Sequence, residues 1–235
     1  MSKPTPRDRL IVALDVPSVD LARGLVSTLG DHVTFYKIGL ELVMNGGLPF
    51  VGELAARGKR IFLDLKLLDI PNTITRAVDN AAELGATFLT VHGTDLKTLE
   101  AAVAGRHGSA LKLLAVTVLT SLTDRDLAQQ GIAMPVTGLV ARRAELARQS
   151  GFDGVIASGQ EAAAIRAQSG AGFLIVTPGI RLGGSATADQ ERVMTPSHAI
   201  AAGADYLVVG RPITEADDPA AAAEHIVEEI AGALA

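Results

Sequence analysis

Eight times along this chain a short β-rich run gives way to an amphipathic stretch rich in Ala and Leu. Regular alternation of strand and helix implies a parallel sheet whose crossovers are helices. Strands are expected at Arg9–Asp15, Val33–Gly39, Arg60–Lys66, Phe88–His92, Leu111–Leu119, Gly154–Ala157, Gly172–Thr177 and Tyr206–Gly210. Helices are expected at Val19–Leu29, Glu41–Arg57, Ile70–Leu84, Leu96–Arg106, Val136–Ser150, Glu161–Gln168, Pro196–Ala202 and Pro219–Leu234. Runs such as Leu10-Ile-Val-Ala-Leu14 are apolar throughout, which suits strands covered on both faces.

Several helices end at Gly58, Gly85, Gly151 or Gly203, where a left-handed residue would stop the helix before the next strand. No linker, low-complexity tract or composition shift interrupts the 235 residues, so residues 1–235 read as one domain. Eight βα units in one domain favour a closed α/β barrel, the (β/α)8 or TIM barrel. Counting alone leaves a doubly wound sheet open. That fold would expect a Gly-rich fingerprint after its first strand, where this chain reads Asp15-Val-Pro-Ser18. The long segment Thr120–Ala133 is expected to hold a short extra helix, Thr123–Gln130, as a lid or pocket wall.

Composition removes several function classes. There is no Cys, which excludes thiolate nucleophiles, Fe–S clusters and Cys-based zinc sites. The net charge of −5, with dispersed Lys and Arg, disfavours a nucleic-acid partner. Two Tyr, six Phe and no Trp make a poor platform for stacking bases. The beginning, Met1-Ser-Lys-Pro-Thr-Pro-Arg-Asp-Arg9, lacks the apolar core of a signal peptide, and no apolar run approaches the ~18 residues of a membrane span. A soluble, cytoplasmic protein with no membrane partner is the expectation.

In a barrel, chemistry belongs at the C-terminal ends of the strands. Those ends carry Asp15, Lys37, Asp64, Lys66, Asp69, His92, Thr120, Arg181 and Arg211. The densest cluster is Asp64-Leu-Lys-Leu-Leu-Asp-Ile-Pro-Asn-Thr73. Asp64 and Lys66, two apart on a strand, project to one face. Lys37 closes the neighbouring strand about 4.8 Å away, so an alternating Lys37–Asp64–Lys66–Asp69 array is feasible. The same spacing is equally compatible with a structural ion-pair network.

The second cluster follows strands 7 and 8, the usual phosphate station of this fold. Strand 7 runs into Thr177-Pro-Gly-Ile-Arg181 and on to Asp189-Gln190-Glu-Arg192; strand 8 runs into Val209-Gly-Arg-Pro-Ile213. Gly lets backbone N–H groups approach an anion, and Arg supplies a bidentate fork. An ordinary loop with solvated arginines would read the same in isolation, but two such loops at these stations favour phosphate. Gly183-Gly184 suits a mobile lid. The His residues at 32, 92, 107, 198 and 225 lack metal-ligand spacing, so no metal site is expected. His92 alone is placed for a role, and a structural one is the simpler reading.

The ten-residue Asp64–Thr73 stretch resembles the active-site signature of the orotidine 5′-phosphate decarboxylase family, bacterial type. The likeness continues in order through Leu14-Asp15, Tyr36-Lys-Ile-Gly39, Val116-Thr-Val-Leu-Thr-Ser121, Thr177-Pro-Gly-Ile-Arg181, Asp189-Gln190 and Val209-Gly-Arg-Pro-Ile213. One departure is Leu68, where many family members carry His; it is not a catalytic position of the family.

The resemblance implies a homodimeric barrel with sites at the subunit interface, converting orotidine 5′-monophosphate to uridine 5′-monophosphate without metal or organic cofactor. It assigns Lys66 as proton donor to C6 of the pyrimidine and sets Asp64 against the departing carboxylate. Asp69, from the partner subunit, and Lys37 complete the charged array. Asp15 and Lys37 correspond to residues holding the ribose hydroxyls, and Thr120 and Ser121 to residues near the ribose and pyrimidine. Thr73 joins the substrate-binding set, and Arg181, Gln190, Gly210 and Arg211 match the phosphate-binding set. Two alternatives compete: a Mg-dependent sugar-phosphate decarboxylase or aldolase sharing the Asp-x-Lys-x-x-Asp pattern, and a non-catalytic phosphate-binding barrel.

Overall fold

The computed structural model describes residues 4–181 and 194–235. Among these, eight parallel strands form a closed barrel in sequence order, β1 pairing with both β2 and β8. They are β1 (Leu10–Ala13), β2 (Phe35–Gly39), β3 (Arg60–Leu67), β4 (Phe88–His92), β5 (Lys112–Val116), β6 (Gly154–Ile156), β7 (Leu174–Thr177) and β8 (Tyr206–Val209). The expected barrel is therefore the one observed, with most strands shorter than the apolar runs suggested.

Helices cover the outside: α1 (Val19–Leu29), α2 (Leu40–Met44), α3 (Leu48–Ala56), α4 (Pro71–Glu83), α5 (Leu96–Gly105), α6 (Asp124–Gln129), α7 (Val136–Gln149), α8 (Gly159–Ser169), α9 (Pro196–Ala201), α10 (Arg211–Thr214) and α11 (Pro219–Leu234). Gly58, Gly85, Gly151 and Gly203 all take positive φ, as the helix-stop reading requires. The extra helix between β5 and α7 is present as α6, closed by a capping box between Thr123 and Asp126.

The single helix expected over Glu41–Arg57 is instead two, α2 and α3. Gly46 adopts φ 84°, and Gly47 donates its N–H to the Leu42 carbonyl at 2.8 Å. A Cβ at Gly47 would lie 2.6 Å from that carbonyl oxygen, so the break depends on glycine there. Pro49 then starts α3 in the first turn, where a missing N–H costs nothing. Where a loop is expected after β8, the chain forms the one-turn helix α10.

Side chains alternate along each strand between two cores. Val12, Leu63, Leu89 and Ile175 point outward to the helices. Ile11, Phe35, Phe62, Phe88, Val176 and Tyr206 fill the barrel interior. Phe88 meets Phe35 and Tyr206 edge-on at centroid separations of 5.0 and 5.2 Å. Much of the scarce aromatic content is thus spent plugging the barrel, and this plug forms a rigid floor beneath the strand ends. Truncating Phe88 to alanine would cost about 3–5 kcal/mol by opening a cavity there. None of the described helices is long and apolar enough to cross a membrane.

Candidate active site

A cavity of about 490 Å³ opens at the C-terminal ends of the strands, above the aromatic plug, with Phe62 and Val208 in its wall. Asp15, Lys37, Asp64 and Lys66 line one side. Thr120, Arg181, Gly210 and Arg211 line the other. Residues from strands 1, 2, 3, 5, 7 and 8 of the barrel therefore converge, as the strand-end reading anticipates.

The charged side is an ordered chain of ion pairs. Lys37 Nζ lies 2.8 Å from Asp15 Oδ1 and 3.5 Å from Asp64 Oδ2. Lys66 Nζ lies 2.8 Å from the same Asp64 Oδ2. The second oxygen, Oδ1, accepts a hydrogen bond from the Thr90 hydroxyl at 2.9 Å. Asp64 is thus gripped at both oxygens. Burial disfavours its charge, but the two ammonium groups outweigh that and hold its pKa below the usual aspartate value. Burial likewise opposes the Lys37 ammonium, and the Asp64 and Asp15 carboxylates reverse the effect and raise its pKa. Both shifts favour the charged forms of Asp64 and Lys37. Side-chain exposure differs along the array: 9% for Lys37, 13% for Asp64 and 30% for Lys66, which presents its ammonium to the cavity.

Asp64 and Lys66 do share a face, but not by simple strand geometry. Lys66 has φ 49°, and the β3–β4 register shifts between Leu63 and Leu67. A left-handed residue carrying a Cβ is uncommon and persists only where its surroundings hold it.

Asp69 does not join the array within its own chain. It is exposed, and its carboxylate accepts the N–H of Ile70 at 2.6 Å. Among the described ion pairs none links it to Lys66, so a single subunit contains Lys37–Asp64–Lys66, extended by Asp15 at the Lys37 end. Thr73, exposed in the first turn of α4, and Ser121 also lie outside the cavity lining. Gln190, Asp189 and the Gly183-Gly184 pair fall outside the described residues. His92 is half-buried beside the array. Burial, then the nearby Arg143 and Lys66 charges, lower its pKa, against a weaker opposing pull from Asp64.

On the far side, Arg181 follows β7 and its backbone N–H bonds to the Met194 carbonyl at 3.0 Å, in register with the Ile180–Met194 bridge. Arg211 opens α10 directly after β8. Both residues border the cavity, following strands that lie four and three places round the barrel from β3, which carries Lys66. Among the described residues no group of three His, Cys, Asp or Glu side chains is placed to hold a metal ion.

Sequence reasoning passed over two contributors. Gly39 was noted only as part of a motif, yet a Cβ there would stand 2.8 Å from both Asp15 Oδ1 and Lys37 Nζ. A glycine at the end of a strand, two residues after a strand-end lysine, is the signal that would have found it. Thr90 escapes a search of strand ends because it lies mid-strand, between the apolar Leu89 and Val91.

The model of the orotidine 5′-phosphate decarboxylase / HUMPS family matches residues 8–226. The chain belongs to this family. A curated family member from Rhodopseudomonas palustris (strain BisA53), named orotidine 5′-phosphate decarboxylase, is 57% identical over 97% of this chain and 96% of its own length. Its namesake from Bradyrhizobium sp. (strain BTAi1) is 59% identical over 98% of this chain and 94% of its own. The crystal structure of the Lactobacillus acidophilus family member superposes with a TM-score of 0.85 at 39% identity, covering 97% of this chain and 99% of that one.

Proposed function

We propose that this chain decarboxylates orotidine 5′-monophosphate to uridine 5′-monophosphate and CO2, a step of pyrimidine biosynthesis. The observation that carries the reading is the Lys66 ammonium, partly exposed to the cavity and held 2.8 Å from a carboxylate that is itself fixed at both oxygens. Full-length similarity to relatives bearing that enzyme name supports it.

The chemistry asks for such a group. Loss of CO2 from C6 leaves a carbanion with no adjacent carbonyl to delocalise it, so stabilisation is electrostatic and must be in place beforehand. Lys66 supplies the fixed positive charge and then the proton. Asp64 pairs with that ammonium and aims it, and its own negative charge opposes the substrate carboxylate in the ground state. Asp15 and Lys37 take the ribose hydroxyls, with Thr120 and Ser121 near the ribose and base. Arg181, Gln190, Gly210 and Arg211 hold the phosphate, whose binding energy helps organise the remote reacting carbon. No metal or organic cofactor takes part in this scheme. A divalent cation at Asp15 and Asp64 would have to displace the Lys37 ammonium from between them.

The working form in this reading is a cytoplasmic homodimer with shared sites. Asp69 of the partner subunit completes the array, and Thr73 reaches substrate by the same route. Its support is that Asp69 lies outside its own cavity, flanked by the apolar Leu68 and Ile70 at 56% and 67% exposure. The test is the loss of orotidine 5′-monophosphate absorbance on adding purified protein, with and without EDTA. Turnover unaffected by chelator is expected; turnover abolished by EDTA and restored by Mg2+ would move the chain to the metal-dependent branch.

A further inference from the structure

The hydroxyl of Thr90 stands at the point where β3 departs from regular pairing. Leu63 pairs with Leu89 and Leu67 with Val91, so β3 advances four residues while β4 advances two. The surplus falls on Asp64, Leu65 and Lys66, and Lys66 takes φ 49°. A strand that bulges in this way leaves backbone groups without ladder partners. Here the Lys66 N–H donates to Thr90 Oγ1 at 2.9 Å, and the same hydroxyl donates to Asp64 Oδ1 at 2.9 Å. The polarity is fully determined: an N–H can only donate and an ionised carboxylate can only accept. Thr90 is itself completely buried, so water does not substitute for it in the native state.

We propose that Thr90 is a positioning residue of the decarboxylation site, its hydroxyl holding the left-handed backbone of Lys66 and the orientation of the Asp64 carboxylate together. This inference rests on the reading of Lys66 and Asp64 given under the proposed function. One side-chain oxygen thereby sets both partners of the 2.8 Å Lys66–Asp64 pair, one through its main chain and one through its side chain. With Oδ1 fixed by Thr90, Oδ2 is turned toward Lys66 and Lys37. Thr90 does not line the cavity.

Thr90→Val keeps the shape and removes the hydroxyl, leaving a buried N–H and a carboxylate oxygen unpaired. The aim of Lys66 loosens, while the phosphate end of the cavity, at Arg181 and Arg211, is untouched. We expect kcat to fall by about thirtyfold or more with KM changed less than about threefold. Thr90→Ser retains the hydroxyl and should stay within about threefold of wild type, since it loses one methyl group only. The pH profile supplies a readout that simple loosening of the fold would not move. Asp64 faces Lys66 on its own strand, Lys37 on β2 with Asp15 beyond it, and His92 on β4 with Arg143 of α7 behind. Only the Thr90 contact changes, so the acid limb of kcat/KM should move to higher pH in Thr90→Val and stay in place in Thr90→Ser.

The wild type is assayed in parallel. An inactive wild type refutes the decarboxylase reading itself. An active wild type with a Thr90→Val enzyme of equal kcat and unshifted acid limb overturns the positioning role alone. If circular dichroism shows Thr90→Val to be unfolded, Thr90→Ala and Thr90→Ser decide the matter. Serine far more active than alanine supports the role of the hydroxyl, and equal losses overturn it.

Discussion

A Cβ on Gly39 would stand 2.8 Å from the ammonium nitrogen of Lys37. The backbone there is ordinary, with φ −102°, so glycine is required by the space and not by the conformation. Gly39→Ala should therefore fold, because the atoms it meets are the movable ends of Lys37 and Asp15. Those ends cannot both keep the 2.8 Å pair, however. We expect kcat/KM to drop by about tenfold to a hundredfold, the size of losing an aligned charge-assisted hydrogen bond. The melting temperature should move by only a few degrees, of the order expected for about 1 kcal/mol. Steady-state kinetics alongside thermal melting checks both; unimpaired turnover would show that the pair has no part in the reaction.

Lys66→Ala removes the proton donor and the positive charge together. Turnover should fall by at least about a thousandfold while the fold survives, since the side chain is partly exposed and general-acid and electrostatic contributions are lost at once. Activity within tenfold of the wild type, in a preparation free of host enzyme, contradicts the assignment.

Asp64→Asn makes the electrostatics of the array visible as stability. The folded-state pKa of Asp64 lies below its ordinary value of 3.8, so its charge stabilises the fold above that pH. That contribution is lost as pH falls through the lower folded value. At pH 7 the neutral variant leaves Lys37 buried against one carboxylate fewer, at a cost of about 3–5 kcal/mol. Urea unfolding of both proteins should show this gap unchanged down to about pH 4 and closing below it. A gap that is independent of pH in acid would mean the carboxylate is not held ionised.

Arg211 lines the same cavity as Lys66, following β8, three strands round the barrel from β3. Arg211→Ala should lower kcat/KM for the nucleotide by about 3 kcal/mol, roughly a hundredfold, through loss of a bidentate contact to phosphate. Activity on the phosphate-free nucleoside should scarcely change. An equal fractional loss on both substrates places Arg211 elsewhere in the reaction.

The exposed Asp69 leads to a complementation experiment. If it serves the partner's site, a dimer of one Lys66→Ala chain and one Asp69→Ala chain has one intact site and one site lacking both groups. With random exchange in a twofold dimer about half the dimers are mixed, so activity should recover to about a quarter of wild type. The two inactive variants are unfolded and refolded together in equal amounts, with mixed dimers confirmed by mass. No recovery means that Asp69 acts within its own chain.

The amino-acid sequence by itself determined the barrel and the ends at which its chemistry sits. Local period and punctuation carry that information: apolar strand runs, helix-stopping glycines such as Gly85 and Gly151, and polar residues where apolar strands finish. Asp15, Lys37, Asp64, Lys66, Arg181 and Arg211 were legible because each ends or follows a strand, and closing the barrel brings such ends together. Only the tertiary structure decided who pairs with whom. Asp15 pairs with Lys37 because β1 and β2 are neighbours in register, whereas Asp69 lies on an exposed bend away from the Lys66 of its own chain. The left-handed Lys66 and the Thr90 hydroxyl that holds it depend on a two-residue slip between β3 and β4, which no local pattern encodes. The break at Gly46-Gly47 is different in kind: the paired glycines and Pro49 are a local turn signal, and the close approach of Gly47 to the Leu42 carbonyl keeps that position glycine. Periodicity reports which face of an element is buried; the distance between two side chains is set by the register of the strands that carry them.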